Sequence, residues 1–343
     1  MILIQSLKIG QAQNKLLNHV IKKGKKRRMT ILSIIIPHYN SPKQLKRLLK
    51  SIPRKENIEI IVVDDKSNKY TDEYKRLVFD FDYVLFLENS SMNKGAGACR
   101  NIGLKKAKGD WILFADSDDY FVEGFYKTIK KYMGSYKDVV FFVPTSKDIL
   151  TGEISDRHLP YKQIIDNFIS KGNTESLLKL RYNFFVPWSK LINKMFISKY
   201  NITFDETIAS NDVMFSTKVG HYMKSFDISR ETIYCVTKGV GTLTKNTDEK
   251  TYNARVAVHI DYCNYLYDNL EDELLSKMQL SGRSLILKAV NYRYGINKII
   301  DVYLLFKKNN IRVFNCKDLN IISVIYKLIK HKKKHKKDQN YYE

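Results

Sequence analysis

The 343-residue chain has four cysteines, Cys99, Cys235, Cys263 and Cys316, far apart and with no CxxC pair among them. That spacing argues against a zinc cluster and fits a reducing, cytoplasmic compartment. No apolar run approaches the ~18–20 residues that a membrane span needs. Met1 to Ile4 are apolar, but the cations from Lys22 to Arg28 follow them, the reverse of a secretory signal. Proline (6) and glycine (15) are sparse, and no Pro/Gly/Ser linker divides the chain. Acids are also short, at 36 Asp+Glu against 59 Lys+Arg, a formal net charge of +23. The excess collects at the ends: residues 1–28 hold eight Lys/Arg and no acid, and residues 327–343 hold seven Lys and two acids. A uniformly basic nucleic-acid binder would spread its cations over the fold, so basic tails on a moderately charged globule are expected, with no nucleic-acid partner.

With 44% hydrophobic residues the chain can bury a sizeable core, as one large or two medium domains. From Ile31 short apolar runs alternate with amphipathic stretches. Strands are expected at 31–36, 58–63, 83–87, 111–115 and 138–143, with helices near 42–51, 71–79, 97–107 and 121–132. Further helices are expected near 161–170, 174–181 and 212–220, short strands near 226–236, and helix from about 250 onward. The expected organisation is a basic extension over 1–28, an α/β domain over 29–245, a helical region over 246–330 and a basic tail over 331–343. Met29 is also a plausible second start, which would leave 1–28 untranslated. Alternating strands and helices make a mostly parallel sheet covered on both faces, with ligands beyond the carboxyl ends of its strands.

The unusual polar residues fall at those ends. Trp111-Ile-Leu-Phe-Ala-Asp116-Ser-Asp118-Asp119 crowds three carboxylates after a buried strand. Like charges so close need a compensating cation, and hard oxygen donors suit Mg²⁺ or Mn²⁺. A helix cap near Tyr120 is the plainer reading, though one Asp would serve for that. Asp64-Asp65 ends the second strand; Asp65 could accept hydrogen bonds from a base or ribose, or could sit in an ordinary turn with Ser67 and Asn68. Asn93-Lys-Gly-Ala-Gly-Ala-Cys-Arg100-Asn101 opens a helix with small residues and two cations, which suits phosphate contact or merely close packing. It is neither a Walker loop nor a dinucleotide fingerprint. Asp212, before an apolar helix, reads on its own as an N-cap.

Taken together and in order, these residues resemble the family-2 inverting glycosyltransferases of GT-A fold. The matching pieces are Ser33-Ile-Ile-Ile-Pro37-His-Tyr39-Asn40, Glu59-Ile-Ile-Val-Val-Asp-Asp65, Ala98-Cys-Arg100-Asn101, Gly109 to Asp119, Pro187-Trp-Ser-Lys190-Leu and Asn211-Asp212, covering about 31–245. The resemblance implies an α/β, Rossmann-like GT-A sheet with a helical C-terminal extension. It implies a nucleotide-sugar donor, with UDP-sugar as the expected class, and a saccharide or lipid-linked acceptor in bacterial surface polysaccharide or glycolipid synthesis. Pro37 and Tyr39 would meet the nucleotide, Tyr39 by stacking on its base and Asp65 by binding the base's polar edge. Arg100 and Asp116 would lie at the donor. Asp118 would hold Mn²⁺ or Mg²⁺ on the diphosphate, and Asp212 would be the catalytic base. Two residues depart from the pattern: Asn211 stands where Glu is common, and Lys66 where Gly is common.

Near the C-terminus, Leu319 to Lys330 is amphipathic, with Ile321, Ile322, Ile325, Leu328 and Ile329 on one face, and it runs into His331-Lys-Lys-Lys-His-Lys-Lys337. It reads equally as a peripheral anchor at the anionic inner face of a cytoplasmic membrane or as a docked helix with a solvated tail. The rival readings of the whole chain are a catalytically inactive GT-A scaffold and a basic nucleic-acid- or membrane-binding protein.

Overall fold

A computed structural model of the chain describes residues 31–239 and 247–314. The expected N-terminal extension, the amphipathic stretch 319–330 and the basic tail lie outside those residues.

Strand β1 (Leu32–His38) is buried at every position, as a central parallel strand must be. It pairs in parallel with β2 (Ile58–Asp64) on one side and β4 (Trp111–Phe114) on the other, and β3 (Leu85–Glu88) adds in parallel to β2. The crossovers are α1 (Pro42–Ser51), α2 (Thr71–Asp80) and α3 (Ala96–Lys106). Helix α1 begins on Pro42, whose fixed φ suits a first turn, and lays Leu45, Leu48 and Leu49 on the core. Each of those side chains contributes about 1.5–3 kcal/mol by burial.

Beyond β4 the sheet changes character. The following elements are β5 (Tyr120–Phe121), α4 (Phe125–Lys130), β6 (Val139–Asp148), α5 (Leu159–Lys171), α6 (Thr174–Tyr182), β7 (Lys190–Asn193), α7 (Lys194–Lys199), α8 (Val213–Tyr222) and β8 (Phe226–Lys238). The strand order is β3-β2-β1-β4-β7-β6-β8-β5. Strand β7 is antiparallel to both β4 and β6, β8 runs parallel to β6, and β5 is antiparallel to β8. The sheet is therefore parallel in the half that carries the expected nucleotide motifs and mixed in the other half.

One local expectation fails and one strand is unforeseen, each for an identifiable reason. The helix expected over 121–132 shrinks to α4, because Tyr120 and Phe121 pair with Cys235 and Tyr234 instead, and Gly124 breaks the path in a left-handed conformation (φ 77). Strand β7 has only four residues, too short to show a period in sequence.

Helices α9 (Glu249–Asn269), α10 (Asp272–Met278), α11 (Arg283–Asn291) and α12 (Ile296–Lys308) follow. They form a second core around Tyr252, Val256, Cys263, Leu266 and Phe306, into which the α/β part contributes Leu178 and Tyr182 of α6 and Met214 of α8. The helical region thus docks on α6 and on α8, the helix that Asp212 precedes.

Contact between α6 and α8 is close enough to require glycine. A Cβ at Gly220 would lie 1.8 Å from the Arg181 carbonyl oxygen, and backbone cannot rotate away as a side chain can. Gly220→Ala is expected to destabilise the fold by about 1–3 kcal/mol, read as a lower denaturant midpoint with an unchanged m-value.

Candidate active site

The sheet brings four sequence segments to the carboxyl ends of β1, β2 and β4. At the end of β1, Pro37 is buried in the strand and Tyr39 is half exposed, with its ring free of the core. His38 between them is buried and stacks flat on Tyr74, centroids 4.9 Å apart. Its Nε2 accepts from the Ser41 amide (3.1 Å), so Nδ1 carries the hydrogen and donates to Asp64 Oδ1 (2.7 Å). Burial pushes the Asp64 carboxyl up, but donors from His38 and from the Ser67 hydroxyl and amide outweigh it and hold Asp64 below the usual range. Asp64 is thus a structural brace for the turn after β2. In that turn Lys66 adopts a left-handed conformation (φ 58), so the place where the family often has Gly does require positive φ here. The Lys66 ammonium anchors the strained turn by donating to the Ser91 carbonyl oxygen (2.9 Å).

Asp65 is buried and already spans two elements: Oδ1 accepts from Asn89 Nδ2 (2.6 Å) and Oδ2 from the Gly95 amide (2.8 Å). Each oxygen keeps a further lone pair, so the carboxylate can still take one more donor from a ligand. The helix start at Gly95-Ala-Gly97 favours the packing reading of that motif. A Cβ at Gly97 would sit 2.1 Å from the Asp205 carbonyl oxygen, so α3 runs directly against the loop that leads to Asp212.

Arg100, on α3 and 4% exposed, is the hinge of the site. One terminal nitrogen donates to Asp116 Oδ1 (2.5 Å), the other to Asn211 Oδ1 (2.8 Å), and the guanidinium lies over the Phe204 ring at 5.2 Å. Its Nε is buried without a partner. Asn211, the departure from the family pattern, therefore gives Arg100 a neutral acceptor in place of a second carboxylate.

The three carboxylates after β4 separate into distinct roles. Asp116 is paired with Arg100. Asp119 is buried, its two oxygens accepting from the Thr237 amide (2.7 Å) and the Tyr234 hydroxyl (2.9 Å). Burial, then Asp118 and Asp116, push its carboxyl well above the usual range. Tyr234 also accepts from the Asp116 amide (2.8 Å), so β8 clamps the acidic turn. Neither Asp118 nor Asp119 caps a helix, because β5 follows them. The Asp118 carboxylate differs: among the described residues no other residue donates a hydrogen bond to it. Burial first, and Asp116 second, push it up. No group of three His, Cys, Asp or Glu able to hold a metal gathers among the described residues. Asp118 with the partly exposed Asp116 instead fits an ion that is completed by substrate oxygens, the habit of Mg²⁺-type sites.

Asp212 occupies the N-cap position of α8 but makes no side-chain capping bond. No other described residue donates to its carboxylate either. Burial pushes it up, Arg100 pulls it down, Asp116 pushes it up, and Lys190 pulls it down. Lys190 is a residue that sequence reasoning quoted but assigned no role. It is 1% exposed, donates to the Phe184 carbonyl oxygen (2.6 Å) and lies over the Phe184 ring at 4.9 Å. Burial pulls its ammonium down to about 7 despite the nearby Asp212. A cation in an apolar Leu-Ile strand, in phase with buried Ile192, was its only sequence signal. Tyr234 and Thr237 left none, since their partners lie more than a hundred residues away.

A profile of glycosyl transferase family 2 matches residues 33–200. Residues 33–200 are a glycosyl transferase family 2 domain. The chain is 39% identical over 97 residues to an uncharacterized glycosyltransferase of Haemophilus influenzae, covering 27% of this chain and 31% of that protein. To the poly(ribitol-phosphate) beta-N-acetylglucosaminyltransferase TarS of Staphylococcus aureus it is 28% identical over 198 residues, 55% of this chain and 32% of TarS. The chain thus spans about a third of the length of these relatives. The structure of TarS 1–349 with UDP-GlcNAc matches 78% of this chain and 73% of that one, at 21% identity and a TM-score of 0.55. A mannosyltransferase from Pyrobaculum calidifontis, solved with GDP-Man and Mn²⁺, matches over 85% of each chain at 13% identity and a TM-score of 0.52. At these identities the structural likeness concerns the fold, which is the GT-A α/β fold expected from the sequence.

Lys190 gives this family 2 domain a distinctive pH signature. An unfolded lysine keeps its proton to about pH 10.5, whereas Lys190 in the fold releases it near 7. Between those values the unfolded state binds one proton more, so this group makes stability rise with pH across the window. The thermal midpoint of Lys190→Met, followed from about pH 7 to about 10, is expected to lack the part of the rise that the wild type owes to Lys190.

Proposed function

We propose that the protein is a metal-assisted, inverting glycosyltransferase that moves a sugar from a nucleotide-sugar, a UDP-sugar being the favoured class, to an acceptor hydroxyl. One observation carries the reading. The carboxylates of Asp64, Asp65, Asp116 and Asp119 are bound by donors of the fold, whereas the carboxylates of Asp118 and Asp212 accept no hydrogen bond from any other described residue. A transferase of this kind needs two such free carboxylates, one for the leaving diphosphate's counter-ion and one for the acceptor's proton.

In this reading Tyr39 stacks on the base, which its exposed ring permits, and Asp65 takes a donor on the base's polar edge with its remaining lone pairs. Arg100 holds Asp116 towards the donor sugar. Asp118, with Asp116, would hold Mn²⁺ or Mg²⁺, which when bound neutralises the charge gathering on the diphosphate. Asp212 accepts the proton of the acceptor hydroxyl as its oxygen attacks the anomeric carbon. The bond from that carbon to the diphosphate oxygen breaks as the new one forms, and the nucleoside diphosphate departs with the electron pair. Arg100 and Lys190 both favour the charged form of Asp212 and oppose the effect of its burial, which still holds the carboxyl above its usual range, the direction that strengthens a carboxylate as a general base. Support for the donor and the ion comes from the UDP-GlcNAc of the TarS complex and the Mn²⁺ of the archaeal mannosyltransferase. The poly(ribitol-phosphate) acceptor in the TarS name supports a saccharide or lipid-linked polymer of the bacterial surface as acceptor class.

Calorimetry with UDP, GDP and dTDP, with and without Mn²⁺, tests the donor half. UDP is expected to bind in a metal-dependent manner, and Asp118→Ala to lose that dependence. Asp212→Asn is expected to keep UDP binding while turnover falls by about 10²–10⁴. No nucleotide binding by a folded sample would leave the inactive-scaffold reading standing.

A further inference from the structure

Helix α12 turns Val302 and Phe306 into the second core and leaves its opposite side bare. Ile296 (68% exposed), Ile300 (46%), Tyr303 (38%) and Leu304 (52%) stand on that side. Their spacing of i, i+4, i+7 and i+8 makes one continuous stripe over more than two turns. Phe314, itself exposed, sets its ring against Tyr303 at 6.2 Å and lengthens the stripe. Single exposed apolar residues are ordinary, but a contiguous row rimmed by polar residues marks a contact surface.

The charge around the stripe selects its occupant. Residues 283–314 hold seven Lys/Arg and a single acid, Asp301. Of these, Arg293, Lys307, Lys308 and Arg312 are exposed, and Lys307 lies on the stripe's own side one turn beyond Tyr303. The sequence that follows, 315–343, adds eight Lys against three acids. A second copy of the chain would bring the same positive field against this one and be repelled. An anionic bilayer supplies what the face needs, an apolar layer for the aliphatic side chains and a negative surface for the cations around them.

We propose that the α12 stripe is a membrane-docking face that rests on an anionic lipid surface. The face does not depend on the chemistry of Asp118 or Asp212, so its test stands apart from that of sugar transfer. For a transferase with a lipid-linked acceptor, it would keep the enzyme on the surface that carries the acceptor.

Flotation of the full chain with vesicles of phosphatidylcholine alone, and of phosphatidylcholine with phosphatidylglycerol, reads the proposal directly. The wild type is expected to float with the phosphatidylglycerol vesicles and to be released by salt. The double variant Ile300→Glu, Leu304→Glu is expected to weaken that binding by at least about tenfold. Both sites are exposed, so its melting curve is expected to match the wild type. A Leu304→Trp variant supplies a signal that does not rely on loss of binding: its fluorescence is expected to shift to the blue when phosphatidylglycerol vesicles are added. Equal flotation of the double variant and the wild type would overturn the proposal and assign binding to other basic segments. Failure of the full chain to bind either vesicle would overturn it too, as would a lipid-free dimer that the double variant converts to monomer.

Discussion

A buried guanidinium must be surrounded by acceptors, and that requirement organises the acidic end of this fold. Arg100 sits on α3, yet its two terminal nitrogens reach Asp116 after β4 and Asn211 before α8. Three segments distant in sequence are thereby fixed on one cation. The same charge that holds Asp116 also acts on Asp212, so the carboxylates proposed for the donor and for the base are linked through one side chain. Close backbone packing supports the arrangement, because Gly97, one turn before Arg100, admits no Cβ against the loop that leads to Asp212.

The distribution of charge then follows from the division of labour. Acids concentrate at the strand ends, where several are neutralised internally and two are left open. Cations outnumber acids most in the last two helices, α11 and α12, and at the chain ends. A phosphate-bearing ligand approaching the acidic mouth needs a cation to enter with it, whereas an anionic surface meets the basic helices without one. Under the two proposals, these faces would serve different parts of a transfer reaction beside a lipid surface.

Much of this was legible in sequence because local physics controls it. The apolar runs of β1, β2 and β4 and the Leu45-Leu48-Leu49 spacing of α1 gave the parallel half of the sheet within a residue or two. The carboxylates were found because they end those strands. What stayed hidden depends on distant pairing. Strand β7 exists because β4 and β6 offer it edges on both sides, and four residues carry no period of their own. The distinction between Asp118 and Asp119 rests on Tyr234 and Thr237, which no spacing rule connects to the acidic turn. Lys66 shows the opposite limit. Its cost was visible as a question about φ, but only the turn itself gives the answer.

The central claim is that Asp212 works alone, as a base and not as a nucleophile, on the side of the sugar opposite the diphosphate. The most direct measurement is the anomeric configuration of the first product, followed by NMR before mutarotation. The donors would be a panel of UDP-α-sugars, with acceptor or with water in its place. The account predicts a β product, formed by the wild type and lost in Asp212→Asn. An α product would contradict it, because retention requires a covalent or shielded intermediate for which a lone base has no role.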